Sequence, residues 1–379
     1  MTKYRFDEIA INSTQKKKPT EEDKVYYIGL EHIDPGCFDV VRWGSDVAPT
    51  GDKLLMQKGD VLFGKRRAYQ RKVAIAPFDG IFSAHGMVLR PNLKVIDANY
   101  FPFFISSDKF MDTAVRISVG GLSPTINWKD LARQEFELPS LDEQKVLAYK
   151  LWAAYRLKEA YKKLLVATDE IVKSQYIEMF GNPLSSKQKN ELKRLGQCCI
   201  INPRRPNIAL CDTDKVSFIP MPAVSEDGYL VDMADEEYGK VKKGFTYFEN
   251  NDVLFAKITP CMENGKGAIA YGLTNGIGVG STEFHVLRPI NGISSPYWLL
   301  TLTRMPIFRE RAAKNMSGTG GQKRVSASYL NHSMVGLPAI EEQRRFEAIY
   351  KQADKSKSVI QKALVYLNDI QSDELKEIA

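Results

Sequence analysis

Cysteine, histidine and long apolar runs are scarce in this 379-residue sequence, and each scarcity excludes something. The five cysteines, Cys37, Cys198, Cys199, Cys211 and Cys261, are odd in number and form no Cys-x-x-Cys pair. A disulfide or zinc framework is disfavoured, and a reducing, cytoplasmic location fits. The four histidines, His32, His85, His285 and His332, are scattered and suggest no metal site. The N-terminal MTKYRFDEIA has no apolar signal core, and no run approaches the ~20 apolar residues of a membrane span. Enzyme motifs are missing too. Asn202-Pro203-Arg204-Arg205 departs from the Asn/Asp-Pro-Pro-aromatic motif of an adenine methyltransferase. Asn264-Gly265-Lys266-Gly267 lacks the spacing of a nucleotide phosphate loop. With no nuclease constellation either, no catalytic residue and no metal ligand is assigned.

What is there begins with room. The length allows two or three domains with real cores. Apolar residues make up 44% and charged residues 26%, an ordinary soluble balance. The net charge of +7 suits a phosphate-rich partner without requiring one.

From Asp142 to Phe180 there is neither glycine nor proline, the residues that most often interrupt a helix. Leu138-Pro139 sets the start, and Gly181-Asn182-Pro183 ends the run. Apolar or small residues at Leu147, Ala154, Leu157, Tyr161, Leu164, Thr168 and Ile171 alternate by threes and fours, which predicts a coiled-coil seam. A helix of ~39 residues spans roughly 58 Å.

The opening of this helix returns. Leu138-Pro139-Ser140-Leu141-Asp142-Glu143-Gln144 is echoed by Leu337-Pro338-Ala339-Ile340-Glu341-Glu342-Gln343, again followed by a helical run. Its predicted seam is Phe346, Ile349, Ala353, Ile360, Ala363, Leu367 and Ile370. Other landmarks repeat in order. Asp23–Ile28 matches Asp214–Ile219, Gly59–Lys65 matches Asn251–Lys257, and Val88–Pro91 matches Val286–Pro289. The loop Val119–Asn127 has its counterpart in Ser317–Arg324. Offsets drifting only from 191 to 199 residues exclude chance. His85 and His285 do not align between the repeats.

The predicted class is α+β: a tandem repeat of two β-rich domains, each followed by a long helix. The helices pair as an antiparallel coiled coil with pseudo-two-fold symmetry, which buries both seams. The boundaries are 1–137, 138–183, 184–336 and 337–379. Between landmarks the two β-rich parts differ strongly, as two heads with different targets on one scaffold would. A two-fold object matches the local symmetry of duplex DNA. Heads ~50 Å apart would read sites roughly 15 base pairs apart.

Several stretches then carry a resemblance. The repeated L-P-x-x-x-E-Q opening, the run Ile177-Glu178-Met179-Phe180-Gly181-Asn182-Pro183 and the Asp-Val-Leu-Phe strands are similar to those of specificity (S) subunits of type I restriction–modification systems. Asp252–Lys266 and Gly280–Pro289 resemble one common class of target recognition domain in that family. The resemblance implies a non-catalytic chain whose globular domains each read half of a bipartite DNA target. It implies helices that fix the unread gap and dock two methyltransferase subunits. Those partners would bring S-adenosylmethionine, motor–nuclease subunits would complete the complex, and this chain would bind no cofactor and no membrane.

The DNA-contact candidates lie on two kinds of loop. Lys65, Arg66, Arg67, Tyr69, Gln70, Arg71 and Lys72 form the densest basic cluster of the first head, and Lys257, Thr259, Asn264 and Lys266 are its counterpart. Such side chains suit phosphates and base edges. Ser123, Thr125 and Asn127, and Gln322, Lys323 and Arg324, accompany glycines that let backbone approach a phosphate. Lys16-Lys17-Lys18 reads as a solvated loop. Glu143, Gln144, Glu342 and Gln343 are assigned to helix N-termini and subunit docking. The alternative is a non-enzymatic coiled-coil scaffold whose two heads bind proteins.

Overall fold

The computed structural model describes residues 1–182, 190–319 and 321–376, the last six of these by backbone alone. The predicted helix end at Pro183, the domain start at 184, Gly320 and the chain end at 379 lie outside the described residues. Contacts divide the chain into two units, 1–162 with 361–379, and 163–360. Each long helix is therefore shared between the units.

The first unit starts with β1 (Thr2–Arg5), α1 (Phe6–Ile9), β2 (Ala10–Ser13), β3 (Lys16–Lys17) and β4 (Tyr27–Ile28). There follow β5 (Lys53–Met56), β6 (Val61–Phe63), β7 (Val73–Ile75), β8 (Gly80–Phe82) and β9 (Met87–Pro91). Then come α2 (Phe101–Ser106), α3 (Asp108–Arg116), α4 (Trp128–Ala132), β10 (Glu135–Leu138) and α5 (Leu141–Phe180). One sheet has the order β2-β9-β6-β7, a second β3-β5-β8-β4, and β1 pairs with β10. Much of the stretch expected as one strand, Asp23–Ile28, is a 3-10 helix over Glu22–Tyr26, with only Tyr27–Ile28 in the sheet.

The second unit repeats the plan through β11 (Glu191–Arg194), α6 (Leu195–Cys198), β12 (Cys199–Ile201), β13 (Lys215–Ile219) and β14 (Ala234–Glu237). It continues with α7 (Tyr238–Val241), β15 (Thr246–Glu249), β16 (Val253–Ala256), β17 (Gly267–Ile269), β18 (Ile277–Gly280) and β19 (Phe284–Pro289). Next are α8 (Pro296–Arg304), α9 (Pro306–Ala313), α10 (Ala327–His332), β20 (Met334–Leu337) and α11 (Ile340–Lys376). Its sheets run β12-β19-β16-β17 and β14-β13-β18-β15, and β11 pairs with β20. The parallel pair β4/β8 corresponds to β13/β18, and β5 to β15. The heads diverge at the sheet edge: β3 extends the sheet beside β5, whereas β14 extends it beside β13.

The repeated sequence landmarks are clamps. In Asp-Val-Leu-Phe, the aspartate precedes a buried strand and meets the arginine of Leu-Arg-Pro on the neighbouring strand. Asp60 takes Arg90 Nε at 2.7 Å, and Asp252 takes Arg288 Nε at 2.8 Å. Each aspartate also accepts a turn N–H, from Gln57 at 2.7 Å and from Glu249 at 2.8 Å. The glutamine of L-P-x-x-x-E-Q is wholly buried in both units. Gln144 accepts from the Asp97 N–H and donates to the carbonyls of Val95 and Pro139. Gln343 does the same with Ser295, Ile293 and Pro338. The docking role assigned to Gln144 and Gln343 is thereby corrected, since every polar atom of these side chains is used inside the fold. They tie each long helix to its own head.

α5 has 40 residues and ends where Gly181, at φ 75°, closes on the Ile177 carbonyl. Its predicted seam holds at Thr168, which is buried, and is otherwise displaced by about one position. Leu157, Leu164 and Ile171 are 44%, 47% and 56% exposed, while Ala148, Leu151, Tyr155, Val172, Tyr176 and Phe180 are buried. The reason is that the first turns of α5 pack on the first head rather than on a partner helix. Tyr155 accepts from the Phe38 N–H, and Trp152 donates to the Asn99 carbonyl. The seam of α11 agrees better, with Phe346, Ile360 and Leu367 buried, together with Tyr350 and Lys357. Within the second unit the two helices run antiparallel: Phe346 meets Tyr176 and Phe180 edge-on, while Lys357, further along, pairs with Asp169, further back.

Candidate nucleic-acid interface

In each unit the strand at the centre of the first sheet delivers a loop to the same place. β6 is followed by Gly64, whose N–H bonds the Lys72 carbonyl and closes the loop Lys65–Lys72. Ala68 is buried in the core and anchors this loop. Arg67 and Arg71, at φ 56° and 53°, bracket a single 3-10 turn at Ala68–Gln70. Two non-glycine residues in the left-handed region persist only where surroundings over-determine them. The surroundings are the Gly-rich hairpin: Arg67 N–H donates to Pro124 O at 2.7 Å, and Ile126 N–H to Lys65 O at 3.0 Å. The Arg67 guanidinium also donates to Ser123 Oγ at 3.1 Å, and Thr125 faces Arg66 across a β-bridge.

The second unit repeats this stitch. Ala256 N–H bonds Lys266 O and closes the loop, which Met262 anchors in the core. Thr259 N–H donates to Lys323 O at 3.0 Å, and Val325 N–H to Lys257 O at 2.9 Å. Thr259 Oγ1 donates to Gly321 O and accepts from Lys323 N–H. The four candidate loops therefore form two composite surfaces, one per unit.

Not every candidate side chain faces outward. Arg71 turns to Asp108 at 2.5 Å and to the Ser106 carbonyl, and Lys72 donates to Leu30 O at 2.6 Å. Arg324 makes a bidentate pair with Glu283, holding that carboxyl below its ordinary range. Asn264 donates to Glu226, and Asn127 to Asp130. Tyr69, Gln70, Lys257, Lys266, Gln322 and Lys323 carry no side-chain bond among the described residues, and Tyr69 is 55% exposed. Glu143 caps α5 reciprocally with Ser140 and stays exposed. Glu342 has alanine at the corresponding cap and is half-buried.

Three residues escaped sequence reasoning. His85 lies 3.4 Å from Arg66, and its pKa is lowered by burial and then by Arg66, Lys65 and Lys53. Lys65 is lowered by burial and then by Lys16. Lys16, read as a solvated lysine, belongs to the same positive field because β3 carries it to β5. Leu122 stands 96% exposed at the hairpin tip. An apolar residue raised on a glycine turn was a signal available from sequence. No group of three or more His, Cys, Asp or Glu able to hold a metal occurs among the described residues, and no described helix is long and apolar enough to cross a membrane.

The class the structure defines is one of duplicated β-rich heads, each tied to a long helix and presenting a composite surface of two stitched loops. Residues 4–165 match the type I restriction modification DNA specificity domain. The Escherichia coli type I restriction enzyme EcoAI specificity subunit is 43% identical over 136 residues, covering 35% of this chain and 23% of that protein. The EcoEI specificity subunit of Escherichia coli is 39% identical over 154 residues, 40% of this chain and 25% of that protein. The chain thus spans about a quarter of the length of these relatives. The EcoKI specificity subunit of Escherichia coli strain K12 is 20% identical over 92% of this chain and 80% of its own length. Among solved structures, a type I restriction-modification S subunit from M. genitalium has a TM-score of 0.57 at 15% identity, covering 100% of this chain and 95% of that one. A chain from a type I R-M complex-assembly study has 0.55 at 18%, covering 100% and 97%. These two share the fold. Residues 4–165 thus resemble the type I restriction modification DNA specificity domain, and the chain as a whole is similar to type I restriction enzyme specificity subunits.

Proposed function

We propose that this chain directs a type I restriction–modification complex to DNA, each head reading one half of a bipartite target. The observation that carries the reading is the duplicated stitch: Arg67 to Pro124 with Ile126 to Lys65, and Thr259 to Lys323 with Val325 to Lys257. It fixes two loops in each head as one rigid surface while leaving Lys257, Lys266 and Lys323 with uncommitted ammonium groups. Phosphate contacts position such a surface and make affinity salt-dependent, and a few base-edge contacts specify the sequence.

In this reading the chain contributes no catalytic group and acts in the cytoplasm on double-stranded DNA. The long helices set the unread gap and dock two methyltransferase subunits, which carry S-adenosylmethionine. Motor–nuclease subunits join for restriction. Exposed apolar residues along α5, among them Val146 at 59% and Tyr149 at 80%, support a docking surface.

The test is methylome sequencing after co-expression with the cognate methyltransferase subunit. The expected result is one new split adenine-methylation motif. No new motif alongside an active partner would reject the proposal in favour of a protein-binding scaffold.

A further inference from the structure

Behind the reading loop of the second unit lies a cavity of about 250 Å³. It is bounded by α5, α8, α9, α11, the turn Ser225–Tyr229 and the loop residues Asn264 and Gly265. Two guanidiniums, those of Arg304 and Arg309, line it. Both are half-buried, and their hydrogen bonds run only to neutral carbonyls. Arg304 Nη2 donates to Glu226 O at 2.7 Å; Arg309 donates to Arg304 O at 3.1 Å and to Glu263 O. Neither has a side-chain carboxylate partner, and they lie close enough for Arg304 to lower the pKa of Arg309, after burial as the main cause.

Carboxylates line the cavity as well. Asp169 pairs with Lys357, and Lys173 pairs with Glu170. Glu226 accepts from the neutral Asn264 amide, keeps its charge and acts on Arg309 through space, and Asp227 stands on the exposed rim. What sets the arginine pair apart is geometric: neither guanidinium has a hydrogen-bonded carboxylate among the described residues, and charge removed from water is normally paired. A second, independent feature lies on the same wall. Thr301 is 6% exposed, and its hydroxyl has no hydrogen-bond partner. Arg304 Nε is likewise buried without one. Thr301 and Arg304 are three residues apart on α8 and so share a face. A helical threonine has two χ1 rotamers available, which lets the hydroxyl turn into the cavity. Glycines make the room: a Cβ at Gly228 would sit 2.7 Å from Arg304 Nη1, and one at Gly265 3.2 Å from Arg309 Nη1.

We propose that this cavity binds one tetrahedral oxyanion of the phosphate class. The Nη groups of Arg304 and Arg309 hold its oxygens, and Thr301 donates a further bond. Charge-assisted bonds of this kind are the strong ones. The occupant would brace Gly265 and Asn264, so it would stiffen the reading loop from behind. The site stands on its own geometry and does not depend on the DNA reading. Its oxyanion comes either from free phosphate or from a DNA phosphodiester.

Inorganic phosphate is the probe, titrated calorimetrically into the full chain without DNA at constant ionic strength, with chloride as the comparison. The expected result is saturable binding of one phosphate per chain, weakened roughly tenfold or more by Arg304→Gln or Arg309→Gln. Arg309→Gln also removes a bond to Glu263, so Thr301→Val, of nearly the same shape, is the second variant; it should weaken binding several-fold with the unfolding midpoint in chloride retained. No saturable heat, or equal affinity in all three variants, overturns the proposal. Displacement of bound phosphate by a short duplex identifies the phosphodiester as the natural occupant. Retention identifies the free anion.

Discussion

The Asp252 carboxylate, 1% exposed, receives Nε and Nη2 of Arg288 at 2.8 and 2.7 Å. The pair joins β16 to β19 and fixes the strand from which the loop Lys257–Lys266 leaves. Removing one partner of a buried ion pair leaves an uncompensated charge, at a cost of about 3–5 kcal/mol. Arg288→Ala should therefore lower stability by that order in urea unfolding. Asp252→Asn/Arg288→Met should be milder than Arg288→Ala, because no buried carboxylate remains. A surface-like loss under 1 kcal/mol for Arg288→Ala would contradict the clamp.

This pair also explains what could be read from sequence. Asp60/Arg90 and Asp252/Arg288, like Gln144 and Gln343, recur because both heads need the same internal clamps, and such residues leave an ordered, frame-keeping trace. The seam of α5 was misplaced because heptad spacing assumes a helical partner, whereas Gln144, Ala148, Leu151 and Tyr155 answer to a globular head. Basic clusters were visible as composition. Their division was not: Asp108 faces Arg71 and Glu283 faces Arg324 only after distant segments meet. His85 read as a scattered histidine because nothing local places it beside Arg66.

Gln343 gives the second prediction. Gln343→Ala leaves the Ser295 N–H and two carbonyls without partners in a buried place, and each orphaned group costs about 1–3 kcal/mol. Gln343→Glu keeps the acceptor for Ser295 but sets a buried, unpaired carboxylate against the Ile293 and Pro338 carbonyls. Thermal unfolding should place both variants well below wild type. Methyltransferase-subunit affinity of the folded variants should be unchanged, because the side chain is internal.

Three imidazoles make stability depend on mildly acidic pH. Burial lowers the pKa of His285, and burial is also the main cause for His32 and His85. Above the unfolded value of about 6.5 all three are neutral in both states and add no slope. Below it the unfolded chain binds protons that the folded chain refuses, so stability falls as pH drops toward the lowered folded values. The urea midpoint should be level from pH 8 to 7 and decline between about 6.5 and 5. His285 Nε2 donates to Val325 O at 2.8 Å, which opposes but does not reverse its shift. His285→Gln should flatten part of the decline, whatever it does to the midpoint. An unchanged slope would assign the pH response elsewhere.

Lys323 and Arg66 should separate affinity from specificity. Lys323 is exposed beside the backbone stitch to Thr259 and has no side-chain partner among the described residues, as a phosphate contact requires. Lys323→Ala should weaken binding to all duplexes alike and reduce the slope of log affinity against log salt by about 1. Arg66 sits where the loop and the hairpin bridge at Thr125, with His85 at its guanidinium. If it reads a base edge, Arg66→Ala should cost about 1–3 kcal/mol on the cognate duplex and relax one position of one half-site, leaving the other half untouched. Fluorescence anisotropy across a salt series, on the cognate duplex and on single-base variants of it, measures both effects. Relaxation in both half-sites from the single Arg66 change would mean that the heads do not read independently, and the two-headed model would fail.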